Sequence, residues 1–269
     1  MPGTTSRRGI SDLLAYTLMF GIIITGVGLV SLGASGALTD LSEREQVANS
    51  ERSMAAAAAT LDDLHQEGDT RRSFNLPLGG GEVYVNASRI NVSSPTDPDL
   101  NATYSVGSLE QRFDRSPRDV TVAYEAGAVF RSPGVRNPYR PSFRCDGDVA
   151  IVSIARLQAG NFAISEQGGS VVPLSPRSVP TEAPFADLGR TLVFSAETVD
   201  VQRTRASFAG GGTVRVNVSG SPNRQQWGGY FERPDSQWTP DPSTDHVWEC
   251  SGVDTALVRV VTVELETSF

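Results

Sequence analysis

The residues of this 269-residue chain whose types and spacing could do chemistry are few. Cys145 and Cys250 are its two cysteines, and neither has a His or another Cys near it, so zinc-type ligand spacing is absent. In an oxidising compartment the two would form a disulfide; the alternative is two buried free thiols. Four Asn-x-Ser/Thr triplets, at Asn86, Asn91, Asn101 and Asn217, are acceptors for N-glycosylation on an exported surface. Near the N-terminus, Arg7-Arg8-Gly9-Ile10 precedes a long apolar run, and Asp12 is the last carboxylate before it.

Catalytic signatures are absent from the pattern. There is no GxSxG, HExxH, phosphate-loop or dinucleotide motif. His65 falls in a helical pattern, and His246 follows "DPSTD", which lacks the full alternation of a calcium loop. The expectation is a non-enzymatic protein with no catalytic residues, no cofactor and no metal.

Composition narrows the partners. All 23 basic residues are Arg, against 31 acidic residues, for a formal charge of −8. A Lys-free acidic surface is what a salt-adapted protein uses to stay soluble, and what a GC-rich genome writes in any case. With no basic run, nucleic acid is not an expected partner.

The elements that position these residues begin with a span. From Leu13 to Thr39 no residue is charged. As a helix at 1.5 Å per residue this run is about 40 Å long, more than the roughly 30 Å hydrocarbon core of a bilayer. A lone segment in lipid must be helical to satisfy its own backbone. Arg7 and Arg8 lie before it, with Asp40, Glu43 and Glu45 after it. The positive-inside rule therefore puts the N-terminus in the cytoplasm and the rest outside the cell.

Three readings of the run differ in what they require next. A twin-arginine export signal would be cut near Ala37, after the small residues Ser35 and Gly36. A plain anchor would lead into a flexible tether. Residues 40–67 instead contain no Gly or Pro, and Leu41, Val47 or Ala48, Met54, Ala58, Leu61 and Leu64 or His65 repeat at helical spacing. Ala55 to Ala59 has strong helix propensity, and Gly68 is a stop signal. Ser42 with Glu45 would form a capping box and a break near residue 42, whereas the lack of breakers favours a continuous helix.

A short basic leader ending Arg7-Arg8-Gly9, with Ile10-Ser11-Asp12 running straight into the apolar helix, resembles the type IV pilin-like proteins. This superfamily includes archaeal pilins and archaellins, and the likeness is nearest to the single-span envelope proteins of salt-loving archaea. It covers residues 6–38, helped by the helical extension to 67. The resemblance implies cleavage by a prepilin peptidase between Gly9 and Ile10, with the apolar helix retained for packing against other pilin-like subunits. Where bacterial pilins carry a Glu at the fifth mature position, this chain has Leu14. Asp12 would take over the pairing with a neighbour's N-terminal amine, or else stay an interfacial acid. Gly21, Gly26, Gly28, Gly33 and Gly36 would allow close helix approach in lipid, where Gly is in any case tolerated.

From about residue 71 the period changes to two. Phe74, Leu76 and Leu78 alternate before Gly79-Gly80-Gly81, and Val83 and Val85 after it, which predicts a hairpin. Further alternating runs lie at 119–132, 148–157, 191–202, 213–220 and 256–266, separated by turn-rich stretches, notably Gly210-Gly211-Gly212. Trp227, Tyr230, Phe231 and Trp238 cluster in sequence, either as an exposed patch for packing or glycan adhesion, or as a loop plugging one end of a sandwich.

The expected fold is α+β: a long N-terminal transmembrane and amphipathic helix, then an antiparallel, sandwich-like extracellular β-domain. The expected divisions are a leader at 1–9, a span at 10–39, a helical stalk at 40–68 and the β-domain at 70–269. The functional expectation is a single-pass envelope protein, a pilus subunit or minor pilin displaying a surface domain for assembly or adhesion. Its expected partners are membrane lipid, prepilin peptidase and other subunits. Two alternatives are a tethered glycan- or solute-binding module that never polymerises, and a secreted hydrolase.

Overall fold

The computed structural model describes residues 8–66, 70–114, 118–134, 136–159, 163–167, 170–173 and 191–268. The chain forms two compact units, Met1–Gln46 and Val47–Phe269. Their one shared element is a helix, α1 (Arg8–Gln66), which runs through Ser42–Glu45 without a break.

In the first unit, side chains are described for residues 14–29 and from 41 onward. Every residue from Leu14 to Leu29 is exposed, and the ten large apolar ones stand between 50% and 72% open. Among the described residues no helix is long and apolar enough to cross a membrane.

Among the described residues the second unit contains the end of α1 and fifteen strands. These are β1 (Arg71–Pro77), β2 (Glu82–Asn86), β3 (Arg89–Ser93), β4 (Asn101–Ser105), β5 (Ser108–Phe113), β6 (Val120–Glu125), β7 (Ala128–Ser132) and β8 (Arg136–Tyr139). They continue with β9 (Phe143–Asp146), β10 (Val149–Ala159), β11 (Ala163–Gln167), β12 (Ser170–Pro173) and β13 (Thr191–Asn217). A short helix, α2 (Arg224–Phe231), precedes β14 (Thr239–Pro240) and β15 (Val247–Ser268). One sheet runs β4-β3-β13-β15-β10-β9, with β1 added on β13 and β14 on β15; the other runs β12-β11-β2-β5-β6-β7-β8. The fold is therefore α+β with mostly antiparallel sheets.

The end of α1 is part of the domain's core. Val47, Met54, Ala57, Ala58, Leu61 and Leu64 are buried at three- and four-residue spacing, in one cluster with residues of both sheets. Leu41, which the periodicity placed in the same stripe, is exposed, and of the alternatives Val47 and Ala48 it is Val47 that is buried. The buried stripe begins at Val47, where the second unit begins. Polar ties flank it: Ser50 Oγ donates to Gln111 Oε1 at 2.6 Å, Arg131 pairs with Glu51 at 2.7 Å, and Tyr139 donates to Asp62 at 3.2 Å. A second buried cluster joins the other end of the long strands to α2.

Four local expectations are corrected. The glycines at 79–81 do not close a hairpin. They turn the chain from one sheet into the other, since β1 pairs with β13 and β2 with β5 and β11. The turn is tight: Gly79 and Gly80 have positive φ, and a Cβ at Gly81 would lie 2.8 Å from Arg112 O. Gly210–Gly212 likewise do not separate two strands. They form a bulge within β13, where the register against β15 shifts between Ser207 and Thr213. The Phe208 ring fills the place a Cβ at Gly212 would need.

The long β10–β15 ladder is parallel, from Val149↔Thr255 to Ala159↔Leu265, so the domain is not purely antiparallel. Alternation of apolar residues fixes a strand's faces but not the direction of its neighbour. Lastly, Trp227, Tyr230 and Phe231 lie on α2 and not in a loop.

Candidate functional site

The N-terminal residues singled out by sequence divide into two groups. Arg7 lies outside the described residues. Arg8, Gly9, Ile10 and Asp12 lie in the first turns of α1, and their side chains are outside the description. Around Gly21, Gly26 and Gly28 an added Cβ would meet nothing within 4 Å, so these positions face open space.

Cys145 on β9 and Cys250 on β15 are joined as a disulfide, with Cα atoms 5.6 Å apart. The bond ties the edge strand of the first sheet to a central one, and Cys250 is fully buried.

Three of the four sequon asparagines fall into a tighter arrangement than their spacing suggested, while Asn86 lies on β2 of the other sheet. Two sequons lie antiparallel across β3 and β4, with Asn91 opposite Thr103 and Ser93 opposite Asn101. Asn217 on β13 stands opposite Asn91 on the other side. Asn91 Nδ2 is enclosed by Asn101 Oδ1, Ala102 O and Thr103 Oγ1 at 3.1–3.2 Å. Asn86 and Asn101 are exposed. Asn217 Oδ1 accepts from the Ser219 N–H at 2.8 Å in an Asx turn.

The aromatic cluster is buried. Trp227, Phe231 and Trp248 stack successively, with ring centroids 5.8 and 4.7 Å apart. Burial of Trp227, Tyr230, Phe231 and Trp238 to 5% exposure or less leaves no aromatic surface there for adhesion. Tyr230 donates to Phe143 O at 2.6 Å, and the Arg233 guanidinium sits 4.3 Å from its ring centre.

Beside this cluster lies a polar centre that sequence reasoning missed. Glu125, fully buried at the end of β6, accepts from Ser88 Oγ at 2.9 Å, Trp227 Nε1 at 3.0 Å and Asn223 Nδ2 at 2.7 Å. Asn223 also donates to Ser108 at 3.1 Å. Glu110 lies two residues along β5 from Ser108, the residue opposite Glu125. Burial holds its carboxyl above the usual range, and the charge of Glu125 adds to this. Hydrogen bonds from Tyr84, Ser108 and Asn86 offset the shift in part. Burial also raises the Tyr84 hydroxyl, with a further contribution from Glu110.

Two neighbouring buried carboxyls invite an acid–base reading. The geometry argues for structure: both oxygens of Glu125 are committed to fixed donors, and α2 covers them with packed aromatics. In sequence Glu125 was one acid among many in an alternating run.

His246 adopts a positive φ of 62° in the loop before β15, and Asp241 is held by Ser243 through Oγ and N–H at 2.6 and 2.8 Å. Asp241 therefore accepts locally and stays below its ordinary pKa, because the Ser243 hydrogen bonds favour its charged form. Among the described residues no group of three or more potential metal ligands is assembled. Four arginines, Arg144, Arg203, Arg205 and Arg259, do meet in one cleft of about 560 Å³.

The model of one protein family, described as a family of unknown function (DUF7289), matches residues 8–266. No curated protein and no solved structure matches the chain.

Proposed function

We propose that this chain, which belongs to the DUF7289 family of unknown function, is a membrane-anchored envelope protein of the type IV pilin-like kind. In this reading Gly9–Ile10 is the processing site, α1 is kept on the mature protein, and the β-domain is displayed outside the cell. Membrane lipid and neighbouring α1 helices are the partners of the exposed first part of the helix.

The observation that carries the reading is the two-part character of α1. Its last third is core, with Met54 and Leu61 at zero exposure. Its first part exposes apolar side chains on every side, including Leu14, Phe20, Ile22, Ile24 and Leu29. A helix that is apolar all round needs lipid or other helices about it. The described side chains of this part end at residue 29, and the continuation of the apolar run to Thr39 rests on the sequence. A secretory cut near Ala37 would leave the buried segment from Val47 behind but discard a helix continuous with it. That makes removal of the first part the poorer account.

Mass spectrometry of the mature N-terminus in the membrane fraction tests the proposal. The expected first residue is Ile10. A first residue at Met1 or Pro2 would remove prepilin-type processing, and one at Leu38 would turn the first part of α1 into a discarded signal. For polymerisation the readout is surface filaments containing this chain, lost when Gly9 is replaced by a bulky residue.

A further inference from the structure

The arginine cleft is built on one face of the first sheet. The register places Arg205, Leu257, Ile151 and Arg144 in a single row across β13, β15, β10 and β9. The next row on the same face holds Arg203, Arg259 and Ser153, and the Ser153 N–H donates to Ser142 O at 3.1 Å. Three strand spacings separate Arg205 from Arg144, about 14 Å across the groove. The floor between them is aliphatic, made by Leu257 and Ile151, and Ser142 and Ser153 add hydroxyls. Farther along this face of β15, Val261, Val263 and Leu265 are buried in the core that contains α1. The cleft opens where that cover ends, with Asp62 of α1 at its rim.

Charge makes this arrangement unusual for the chain. Like charges directly opposite one another on a sheet are destabilising, and Arg203 stands directly opposite Arg259. The lining carries four guanidinium groups and one carboxylate, in a protein with net charge −8. Arg144, Arg203 and Arg205 are exposed and form no ion pair with the described residues. The charges of Arg144, Arg203 and Arg205 are compensated when anionic groups bind across them, and the planar guanidinium fork suits carboxylate and sulfate oxygens two at a time.

We propose that this cleft binds an acidic glycan, a polysaccharide strand bearing uronate or sulfate groups. The cations lie on both flanks of an open groove, and the span from Arg205 to Arg144 is too wide for one small anion to bridge. The floor offers aliphatic surface and hydroxyls to sugar rings. Single-stranded nucleic acid fits less well, because the lining contains no aromatic residue on which bases would stack. An acidic peptide would find free ladder groups only along β9, the edge strand that carries Arg144, since the rest of the groove lies on the face of paired strands. The site stands independently of whether the chain polymerises.

The test uses the full chain in detergent micelles at about 0.1 M salt, titrated with fluorescent heparin oligosaccharide and with polygalacturonate. Binding of at least one, weakening as salt is raised, and about tenfold weaker in R203Q/R205Q and in R144Q, is the expected result. An R203K variant should also bind less well, since it keeps the charge but loses the fork. R89Q, outside the cleft, should bind as the unsubstituted chain does, and circular dichroism of every variant should be unchanged. Absence of binding to both glycans would overturn the proposal, as would equal binding by the cleft variants. Equal or tighter binding of oligo(dT), a polyglutamate peptide or phosphatidylglycerol vesicles to the same arginines would assign the cleft to another anion and likewise overturn it.

Discussion

Trp227 donates its indole N–H to Glu125 Oε1 at 3.0 Å, and so couples the aromatic face of α2 to a carboxylate with no exposure to solvent. Ser88 shares that oxygen and Asn223 takes the other. A buried acceptor serving three donors is costly to remove, because each donor is left unpaired in a dry site. Glu125→Leu is expected to destabilise the domain by about 3–5 kcal/mol. Glu125→Gln, which turns an N–H₂ toward fixed donors, should cost about 2 kcal/mol. Urea midpoints of the two variants check both values. Unchanged midpoints would mean that the network contributes nothing to stability.

Glu110 gives the fold a pH dependence of defined sign. Its carboxyl titrates above the ordinary value of 4.5, chiefly through burial. Between that value and the raised one, the folded state holds a proton that the unfolded state has lost. Stability from this group is therefore complete below about pH 4.5 and declines as pH rises through the folded pKa. Glu110→Gln should flatten this decline and leave the domain more stable at neutral pH. Thermal midpoints over pH 4–8 for both proteins measure it; parallel curves would refute it.

The end of α1 should behave as core. Met54→Ala or Leu61→Ala is expected to cost about 2–5 kcal/mol, as for other fully buried side chains. A chain starting at residue 40 should fold, whereas one starting at residue 70 should expose the faces of both sheets and aggregate. Size-exclusion chromatography of the two truncations distinguishes this from a free-standing β-domain.

The Cys145–Cys250 bond closes a loop with a sequence separation of 105 residues. Chain-entropy reasoning gives a stabilisation of about 4–5 kcal/mol, and typical measured values are about 2–4 kcal/mol. The double variant C145S/C250S should lose stability in that range, read as a lowered denaturant midpoint under oxidising conditions. No loss would indicate that strand pairing alone sets the position of β9.

Glycosylation, where it occurs, should avoid Asn91, whose amide nitrogen is engaged across the β3–β4 pair. Asn86 and Asn101 are exposed residues. Glycopeptide mapping of the native protein is expected to find Asn91 bare, and a high occupancy there would require β3 and β4 to be modified before they pair.

The sequence carried the local signals. Val47, Met54, Ala58, Leu61 and Leu64 recur at helical spacing because one face of a helix must be buried, and that face is buried. The alternating runs from Phe74 onward became strands for the matching reason in sheets. Glycine positions were legible as turns or bends, yet not what those turns connect. At Gly79–Gly81 and Gly210–Gly212 the same residue type made a crossing between sheets in one case and a bulge in the other.

By itself, then, the sequence determined a long helix with an uncharged, mostly apolar run from Leu13 to Thr39, a β-rich remainder, an acidic Lys-free charge and the positions at which the chain bends. Each follows from propensity, periodicity or composition, which act over a few residues. The tertiary structure alone decided that the end of α1 is core, that β10 and β15 run parallel, and that Glu125 meets Trp227. It also gathered Arg144, Arg203, Arg205 and Arg259 from three strands into one cleft. These are pairings between residues far apart in the chain, fixed by which buried faces fit together, and no local pattern encodes that choice.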